Sequence, residues 1–334
     1  MTDQPAGRDS ERVERFPAPA DAPRLDVLIA QRLDLSRNHA ATLIAQGNVR
    51  VAERTERASY RATEGEQIEV VIPPPPGREV VAEQIPLTVC FEDEDVLVID
   101  KPAGMVVHPA PGNWTGTLVN ALKGRGEPLA STGDPGREGI VHRLDKETSG
   151  LLLVAKTERA HRVLGAAMAA RAISRRYAVF CWGHLGQDQV TIERPIARDP
   201  RDRKRMSVQE SGKPAKTTVV RLARFDAGDL LRAHLFTGRT HQIRVHLASI
   251  GHPVVGDDTY GGGGGRRLIG LPPKRHFLHA AWLIFKHPVT GDSVDLRSPL
   301  PPDLREALYR AADGDLPADH PDPLDLLGFY RITG

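Results

Sequence analysis

The sequence GIVHRLDKETSGLLLVAK, residues 139–156, joins two contrasting halves. Its second half contains the apolar run Leu151–Ala155, which is typical of a strand buried on both faces. Immediately before that strand stand five ionisable side chains: His142, Arg143, Asp145, Lys146 and Glu147. Such groups are costly to bury, so they form either a solvated turn or a site that the strand presents. The stretch alone leaves both interpretations open.

The length and composition indicate a chain of about two domains. It has 334 residues, 40% of them hydrophobic, and no run approaches the ~20 apolar residues that cross a bilayer. The N-terminus lacks the apolar core of a secretory signal, and the two cysteines, Cys90 and Cys181, each lie in an apolar segment. We therefore expect a cytoplasmic protein without a membrane association, with two buried thiols and no disulfide.

The charge total does not by itself predict a nucleic-acid partner. The formal net charge is only +2, although basic residues cluster locally, as in RDPRDRKR at 198–205. A run of this kind is most often a solvated loop.

The pattern along the chain divides it into five segments. Residues 1–23 are polar and rich in Pro and Ala, which predicts a disordered tail. Residues 24–72 show helical spacing in RLDVLIAQRL and SRNHAATLIAQG and then short strand patterns. Consecutive prolines make 73–78 a stiff linker, 79–313 form the larger domain, and the Asp/Pro-rich residues 314–334 indicate a loosely packed C-terminal tail.

The larger domain is predicted to be α+β, with a mixed and largely antiparallel sheet. LTVCFEDEDVLVIDKPAG reads as a hairpin, RRYAVFCWG as a strand and THQIRVHLASIG as a helix. Strands in mixed order with interspersed helices are typical of this class.

Several cofactor and metal motifs are absent from the sequence. It has no GxxxxGK[ST] loop, no CxxC pair and no HExxH, and the five glycines at 261–265 do not join a strand to a helix. We predict an enzyme without cofactor or metal.

Three polar groups, each near the edge of a strand or helix, make a chemically coherent set. An arginine such as Arg244 would keep Asp145 ionised in a dry pocket, where it can act as nucleophile or base. Tyr177 offers a flat ring for a base to stack upon and a hydroxyl that can transfer a proton. The alternative is a structural ion pair plus a core tyrosine. A glycosidase is disfavoured because Asp145 and Glu147 share one loop and cannot easily flank a sugar.

The opening motif closely resembles the catalytic motif of the RluA/RluD-type pseudouridine synthases, a family that acts on large ribosomal RNA and transfer RNA. The similarity continues in DKPAGMVVHP (100–109), RRYAVF (175–180), GRTHQIRVHLASIGHPVVGDDTYG (238–261) and FLHAAWLIFKHPVTG, and covers about residues 85–300. Residues 24–72 resemble an S4 RNA-binding module.

The resemblance implies roles for individual residues. Asp145 would be the essential aspartate, Tyr177 the tyrosine under the uracil ring, and Arg244 the arginine that pairs with the aspartate. Arg143 would enter the RNA in place of the everted base. We predict six substrate-binding residues in these motifs: His142, Arg143, Thr148, Arg239, His241 and Gln242. Whether Asp145 attacks ribose C1′ or removes the 2′ proton stays open.

The resemblance also implies the partner. We expect a monomeric isomerase that converts uridine to pseudouridine in structured RNA, most of all large-subunit (23S) ribosomal RNA or pre-50S particles. A transfer-RNA enzyme and a non-catalytic RNA-binding or assembly factor on the same fold are the alternatives. The predicted second helix of the S4-like module carries only Arg37 and His39 as basic residues, so we expect Arg50, Arg54 and Arg57 to supply phosphate contacts.

Overall fold

The structure is a computed structural model that describes residues 12–331 except 34, 36, 73–79, 111–112, 127, 131–136, 266–268 and 318–319. The chain forms two compact units, Met1–Arg78 and Glu79–Gly334. Residues 1–11 of the expected disordered tail and the expected linker at 73–78 lie outside the described residues. Within the described ranges, no helix is long and apolar enough to cross a membrane.

The first unit combines two helices with a small antiparallel sheet. Its elements are β1 (Arg12–Pro17), α1 (Leu25–Arg32), α2 (Arg37–Ala45), β2 (Val49–Val51) and β3 (Gln67–Ile72), and the strand order is β1-β3-β2. Apolar side chains at helical spacing on the helices pack against alternate side chains of β3. Its buried core includes Leu25, Ile29, Leu43, Ile68 and Val70. The predicted helix pair followed by short strands is therefore confirmed.

The first strand of this unit corrects the prediction that residues 1–23 are disordered. Arg12–Pro17 pairs with β3 over its whole length, and Phe16 is buried in the core of the unit. The backbone ladder and the buried aromatic ring offset the entropy cost of ordering a polar segment. Composition alone did not reveal that β3 offers this segment an edge.

The second unit is built on a mixed sheet that the described residues show as nine-stranded. Its strands are β4 (Thr88–Glu92), β5 (Val96–Lys101), β6 (Ser149–Ala155), β7 (Ser174–Trp182), β8 (Gln189–Glu193), β11 (Lys216–Phe225), β12 (Gly228–Leu235), β13 (Leu278–Lys286) and β14 (Ser293–Arg297). The order is β4-β5-β6-β13-β7-β12-β11-β8, and β14 pairs with β13. Only the β6–β13 pair is parallel among these neighbours, so the α+β class and the largely antiparallel sheet are confirmed.

Helices and a second small sheet complete this unit. The helices are α3 (Leu118–Gly124), α4 (Glu158–Ala169), α5 (Gln242–Ser249), α6 (Pro302–Ala312) and α7 (Pro323–Leu326). The small sheet pairs β9 (Ile196–Arg198) with β10 (Met206–Val208). Apolar clusters cover both faces of the main sheet, which explains why every residue of β6 is buried.

A glycine makes the β6–β13 pairing possible. Gly150 has φ 111°, and a Cβ atom there would lie 2.4 Å from the carbonyl oxygen of Ala280. Only a residue without a side chain permits this backbone approach at a positive φ. We call residues 142–148, which precede β6, the motif loop. Gly150 lies five residues after Asp145, so its close contact with Ala280 brings the motif loop near β13.

Two further expectations are corrected. The C-terminal tail contains α7, and its Leu324, Phe329 and Tyr330 are buried against the second unit. Arg232 donates from Nη1 to the carbonyl oxygens of Phe329 and Arg331, at 2.7 and 2.6 Å. Apolar anchors spaced along an Asp/Pro-rich segment therefore dock it. Of the two free thiols, Cys181 is buried as expected, but Cys90 is exposed because it lies on the edge strand β4.

Candidate active site

The predicted site residues converge on one open cleft in the second unit. The cleft has a volume of ≈ 390 Å³ and lies between the loop before β6, the start of β7 and the N-terminus of α5. It is lined by all nine predicted residues: His142, Arg143, Asp145, Thr148, Tyr177, Arg239, His241, Gln242 and Arg244. Asp145, before β6, and Arg244, on α5, line this cleft together although they lie 99 positions apart in the chain.

Buried groups hold the motif loop in place. Lys101, at the end of β5, is fully buried and donates from Nζ to the carbonyl oxygen of Lys146 at 3.2 Å. His142 accepts a hydrogen bond at Nε2 from the backbone N–H of Leu153, at 3.0 Å. The loop is thus tied to two neighbouring strands, and the carboxylate of Asp145 is presented from a rigid support.

Arg244 joins two carboxylates in the cleft. Its Nη1 donates to Oδ2 of Asp145 at 3.1 Å, while Nε and Nη2 donate to both oxygens of Asp257 at 2.7 and 2.9 Å. The side chains of Arg244 and Asp145 are 7% and 15% exposed. A bidentate pair of this kind fixes the guanidinium plane, so Arg244 faces Asp145 in a defined geometry.

The environment keeps Asp145 ionised. Burial raises the pKa of Asp145, but the charges of His241, Arg244 and His276 and the hydrogen bond from Arg244 outweigh it and lower the pKa to about 2. Burial lowers the pKa of His276 to about 3, so that imidazole is neutral near pH 7. Burial also lowers the pKa of His241. Arg244 is therefore the permanent counter-charge, and Asp145 is a carboxylate throughout the physiological pH range.

A histidine lies on the other side of the carboxylate. His241 has a left-handed backbone at φ 56°, and its Nε2 is 4.0 Å from Oδ1 of Asp145. Tyr260 accepts a hydrogen bond from the backbone N–H of Met206, and its hydroxyl contacts Nδ1 of His241 at 2.8 Å. This contact favours a tautomer with Nδ1 as acceptor and the proton on Nε2, toward Asp145.

Tyr177 provides the aromatic wall of the cleft. It lies on β7 and is 4% exposed. Burial raises the pKa of its phenol, the charge of Arg175 lowers it and the charge of Asp145 raises it. The net pKa is raised, so the hydroxyl is protonated near pH 7 and the ring offers an uncharged face to a base.

Comparisons with known proteins agree with this geometry. A model of the RNA pseudouridylate synthase family matches residues 95–249, and a model of the S4 domain matches residues 23–68. A Bacillus subtilis (strain 168) protein, "Uncharacterized RNA pseudouridine synthase YlyB", is 41% identical over 90% of this chain and 93% of its own length. The chain belongs to the RNA pseudouridylate synthase family.

Other relatives of this synthase cover most of its length. "Ribosomal large subunit pseudouridine synthase D" of Nitrosomonas europaea is 43% identical over 85% of this chain and 83% of its own. Among solved structures, "Human RNA Pseudouridylate Synthase Domain Containing 1" has a TM-score of 0.53 at 29% identity, covering 67% of this chain and 88% of that one. Family membership makes the protein an enzyme, an isomerase that converts uridine in RNA to pseudouridine.

Three predicted substrate-binding residues have polar groups that already bind protein atoms. Thr148 contacts Nε2 of His276 through its hydroxyl at 2.9 Å. Gln242 accepts from Thr237 and from the backbone N–H of Arg239, and its amide nitrogen donates to two partners on β11. With His142 bound to Leu153, these side chains hold the walls of the synthase cleft, and their hydrogen bonds favour a positioning role over RNA contact.

Two predicted arginines remain accessible to RNA. Arg143 is exposed to solvent at the cleft. Arg239 is partly exposed and donates from Nε to the carbonyl oxygen of Pro214 at 3.1 Å. Both guanidinium groups can therefore reach a ligand that enters the cleft.

Sequence reasoning assigned no role to Asp257, Tyr260 or His276. Asp257 and Tyr260 belong to the motif GRTHQIRVHLASIGHPVVGDDTYG. Their polar side chains shortly after α5 were the sequence signal that could have identified them as partners of the site residues. His276 gave no such signal, because its contact with Thr148 spans 128 positions. In the described part of the chain, no group of three or more His, Cys, Asp or Glu side chains is placed to hold a metal ion.

Proposed function

We propose that this pseudouridine synthase acts on large-subunit ribosomal RNA and that Asp145 carries the chemistry. The observation that carries the proposal is an ionised carboxylate held against Arg244 at 3.1 Å in a cleft that Tyr177 also lines. An ionised and largely buried carboxylate is a competent nucleophile or base. The reaction needs one such group and no second carboxylate.

The steps follow from the cleft and from the product. A uridine inside a helix must leave its stack to reach Asp145, which costs a few kcal/mol of unstacking energy. The bond between uracil N1 and ribose C1′ then breaks, the uracil turns, and C5 bonds to C1′. The C5 proton passes to solvent and N1 gains a proton, so the atoms balance without an external reactant. Asp145 either attacks C1′ or removes the 2′ proton.

The residues around Asp145 would then have distinct tasks. Tyr177 would stack on the uracil, since its phenol is protonated and its ring is rigidly packed in β7. Arg143, exposed at the cleft, would fill the space that the everted base leaves in the RNA. Arg239 and His241 would contact the nucleotide from the N-terminal end of α5.

Support for ribosomal RNA comes from the relatives and from the first unit. Several relatives at about 40% identity are named ribosomal large subunit pseudouridine synthase D. The S4 domain at residues 23–68 adds a second RNA-binding unit. We further propose that the enzyme works as a cytoplasmic monomer on pre-50S particles or their RNA. Transfer RNA is the alternative substrate.

The test compares the two substrates directly. Uracil tritiated at C5 is incorporated into RNA of a strain that lacks the gene, and large-subunit ribosomal RNA and transfer RNA are purified. The enzyme should release tritium to water from ribosomal RNA and far less from transfer RNA, and carbodiimide-stop sequencing then locates the modified uridine. Release from transfer RNA alone would reject the ribosomal assignment, and release from neither would reject the proposal.

A further inference from the structure

Arg175 is a buried cation at the cleft without a partner among the described residues. It stands two residues before Tyr177 on β7, so both side chains point to the same face of the sheet. Arg175 is only 7% exposed, lines the cleft, and its Nε is buried with no hydrogen-bond partner. Within the part of the chain that the structure describes, the guanidinium makes neither a hydrogen bond nor an ion pair.

This arrangement is unfavourable in the free protein. A buried charge normally has a counter-charge, because removal from water costs several kcal/mol. Arg244, by contrast, meets two carboxylates in the same cleft. A cation left without such a partner inside a binding cleft indicates that the missing anion belongs to the ligand.

A glycine leaves room for the guanidinium. A Cβ atom at Gly238 would lie 3.0 Å from Nη1 and 3.9 Å from Cζ of Arg175. The guanidinium therefore rests against bare backbone, next to the loop that carries Arg239. The charge of Arg175 also acts inside the cleft. Burial lowers the pKa of His142 most, and the charge of Arg175 lowers it further.

We propose that Arg175 is a phosphate-binding residue, which pairs with a backbone phosphate of the RNA beside the uridine in the cleft. The inference rests on the proposed function, since it requires RNA as the ligand. The planar guanidinium fork matches two phosphate oxygens and neutralises a full charge, which the carbonyl oxygens of uracil cannot do. Because Arg175 lies two residues from Tyr177, its contact with the phosphate would fix the sugar-phosphate chain relative to the ring of Tyr177 and to Asp145.

The test is phosphate-ethylation interference with filter binding. Large-subunit ribosomal RNA transcribed in vitro is ethylated so that each molecule has on average a single neutral phosphate. With wild-type protein, one ethylated phosphate should exclude RNA from the complex, and Arg175→Gln should no longer show that interference. Binding to unmodified RNA should weaken by about ten-fold, the size of one charge-assisted hydrogen bond. The slope of log Kd against log salt should fall by ~0.7–0.9.

The neighbouring arginine is the matched control. Arg176 carries the same charge on the same strand, but it points to the opposite face and stacks on Trp282 with its Cζ 4.0 Å from the ring centroid. Arg176→Gln should retain the interference pattern of the wild type. Arg175→Lys keeps a charge without the fork, so it should bind more weakly yet retain interference at the same phosphate. If Arg175→Gln unfolds, the weaker binding of Arg175→Lys to unmodified RNA still tests the contact.

Several results would overturn the inference. An interference pattern identical in wild type and Arg175→Gln would show that the residue contacts no phosphate. Equal changes in Arg175→Gln and Arg176→Gln would reduce the effect to net charge. Tritium release is measured in parallel and separates the two proposals. Wild-type protein that binds the RNA but releases no tritium counts against the proposed function. The interference pattern still decides the role of Arg175 in that case.

Discussion

Arg244 donates from Nη1 to Oδ2 of Asp145 at 3.1 Å, although the two residues lie 99 positions apart in the chain. The guanidinium does not depend on this contact for its position, because Asp257 binds it through two other nitrogens. The counter-charge is therefore in place before any substrate arrives. Preorganised charge of this kind needs no rearrangement during the reaction.

The first prediction concerns the pH dependence of the rate. Because its pKa is lowered to about 2, Asp145 is ionised at neutral and mildly acidic pH. In Arg244→Met the burial of the carboxylate is no longer offset, so its pKa rises and its ionisation needs higher pH. Tritium release should then be slow at low pH and recover partly as pH rises, over a range of about pH 5 to 9.

Asp257→Asn is the companion variant for this test. It loosens Arg244 but leaves the cation beside Asp145, so the rate should fall without an upward shift of the pH profile. If Arg244→Met had the profile of the wild type, the two residues would not be coupled in function.

The second prediction concerns Gly150 at the β6–β13 pair. Gly150→Ala would place a methyl group 2.4 Å from the carbonyl oxygen of Ala280, at a φ that favours glycine. We expect the free energy of unfolding to fall by about 3 kcal/mol or more, measured by urea denaturation. Gly165→Ala is the control, because Gly165 lies inside α4 with open space around it. That change should stabilise by up to ~1 kcal/mol. Similar values for both variants would refute the close approach.

The third prediction concerns Arg275, which fastens the motif loop. Its Nη2 donates to Oγ of Ser149 at 2.7 Å, Nη1 donates to the carbonyl oxygen of Glu147, and Nε donates to Asp303 on α6 at 2.7 Å. Arg275→Met would remove one donor from each of these acceptors and should lower the free energy of unfolding by about 2 to 4 kcal/mol in urea denaturation.

Arg310 provides the comparison for Arg275. Arg310, also on α6, is mostly exposed and lies 3.7 Å from Glu306. Arg310→Met should cost less than about 1 kcal/mol. Equal losses would show that the buried network contributes nothing particular.

The fourth prediction concerns RNA binding by the first unit. Arg37, on α2, pairs with the buried carboxylate of Asp26 at 2.9 Å. Arg50, Arg54 and Arg57 are exposed. Replacing these three by Gln should weaken binding and reduce the salt slope by up to ~0.9 for each phosphate that is no longer neutralised, whereas Arg37→Gln should change the slope little.

An unchanged salt slope in the triple variant would place the phosphate contacts of the protein elsewhere. His39, the other basic residue expected on α2, does not enter this test, because its side chain lies outside the described residues.

The strand and helix patterns of the second unit were readable from sequence because their periodicity is local. The buried run that became β6 and the hairpin of β4 and β5 follow directly from apolar spacing. The strand β1 and the docked C-terminal segment were not readable. Each is ordered by surfaces distant in sequence, the edge of β3 in one case and the guanidinium of Arg232 in the other.

The site shows the same division. Asp145, Tyr177 and Arg244 stand in long motifs, and the cleft brings them together. The partners that set their charge and position come from tertiary contacts: Asp257 clamps Arg244, Tyr260 contacts His241, and His276 meets Thr148. The missing partner of Arg175 could be recognised only once the surrounding side chains were placed.

Glu147→Gln is the matched control for the central claim. Glu147 lies in the same loop as Asp145 but does not line the cleft. Its replacement removes a carboxylate of the same charge, and tritium release should stay close to that of the wild type.

The most direct measurement is tritium release from C5-labelled ribosomal RNA by Asp145→Asn. Asn is nearly isosteric with Asp, so the loop and the RNA contacts of the basic residues should persist while the nucleophile or base is removed. The wild type should release tritium without added metal, nucleotide or methyl donor, and Asp145→Asn should bind the same RNA with similar affinity and release essentially none. Substantial release by Asp145→Asn would contradict the assignment of the chemistry to this carboxylate.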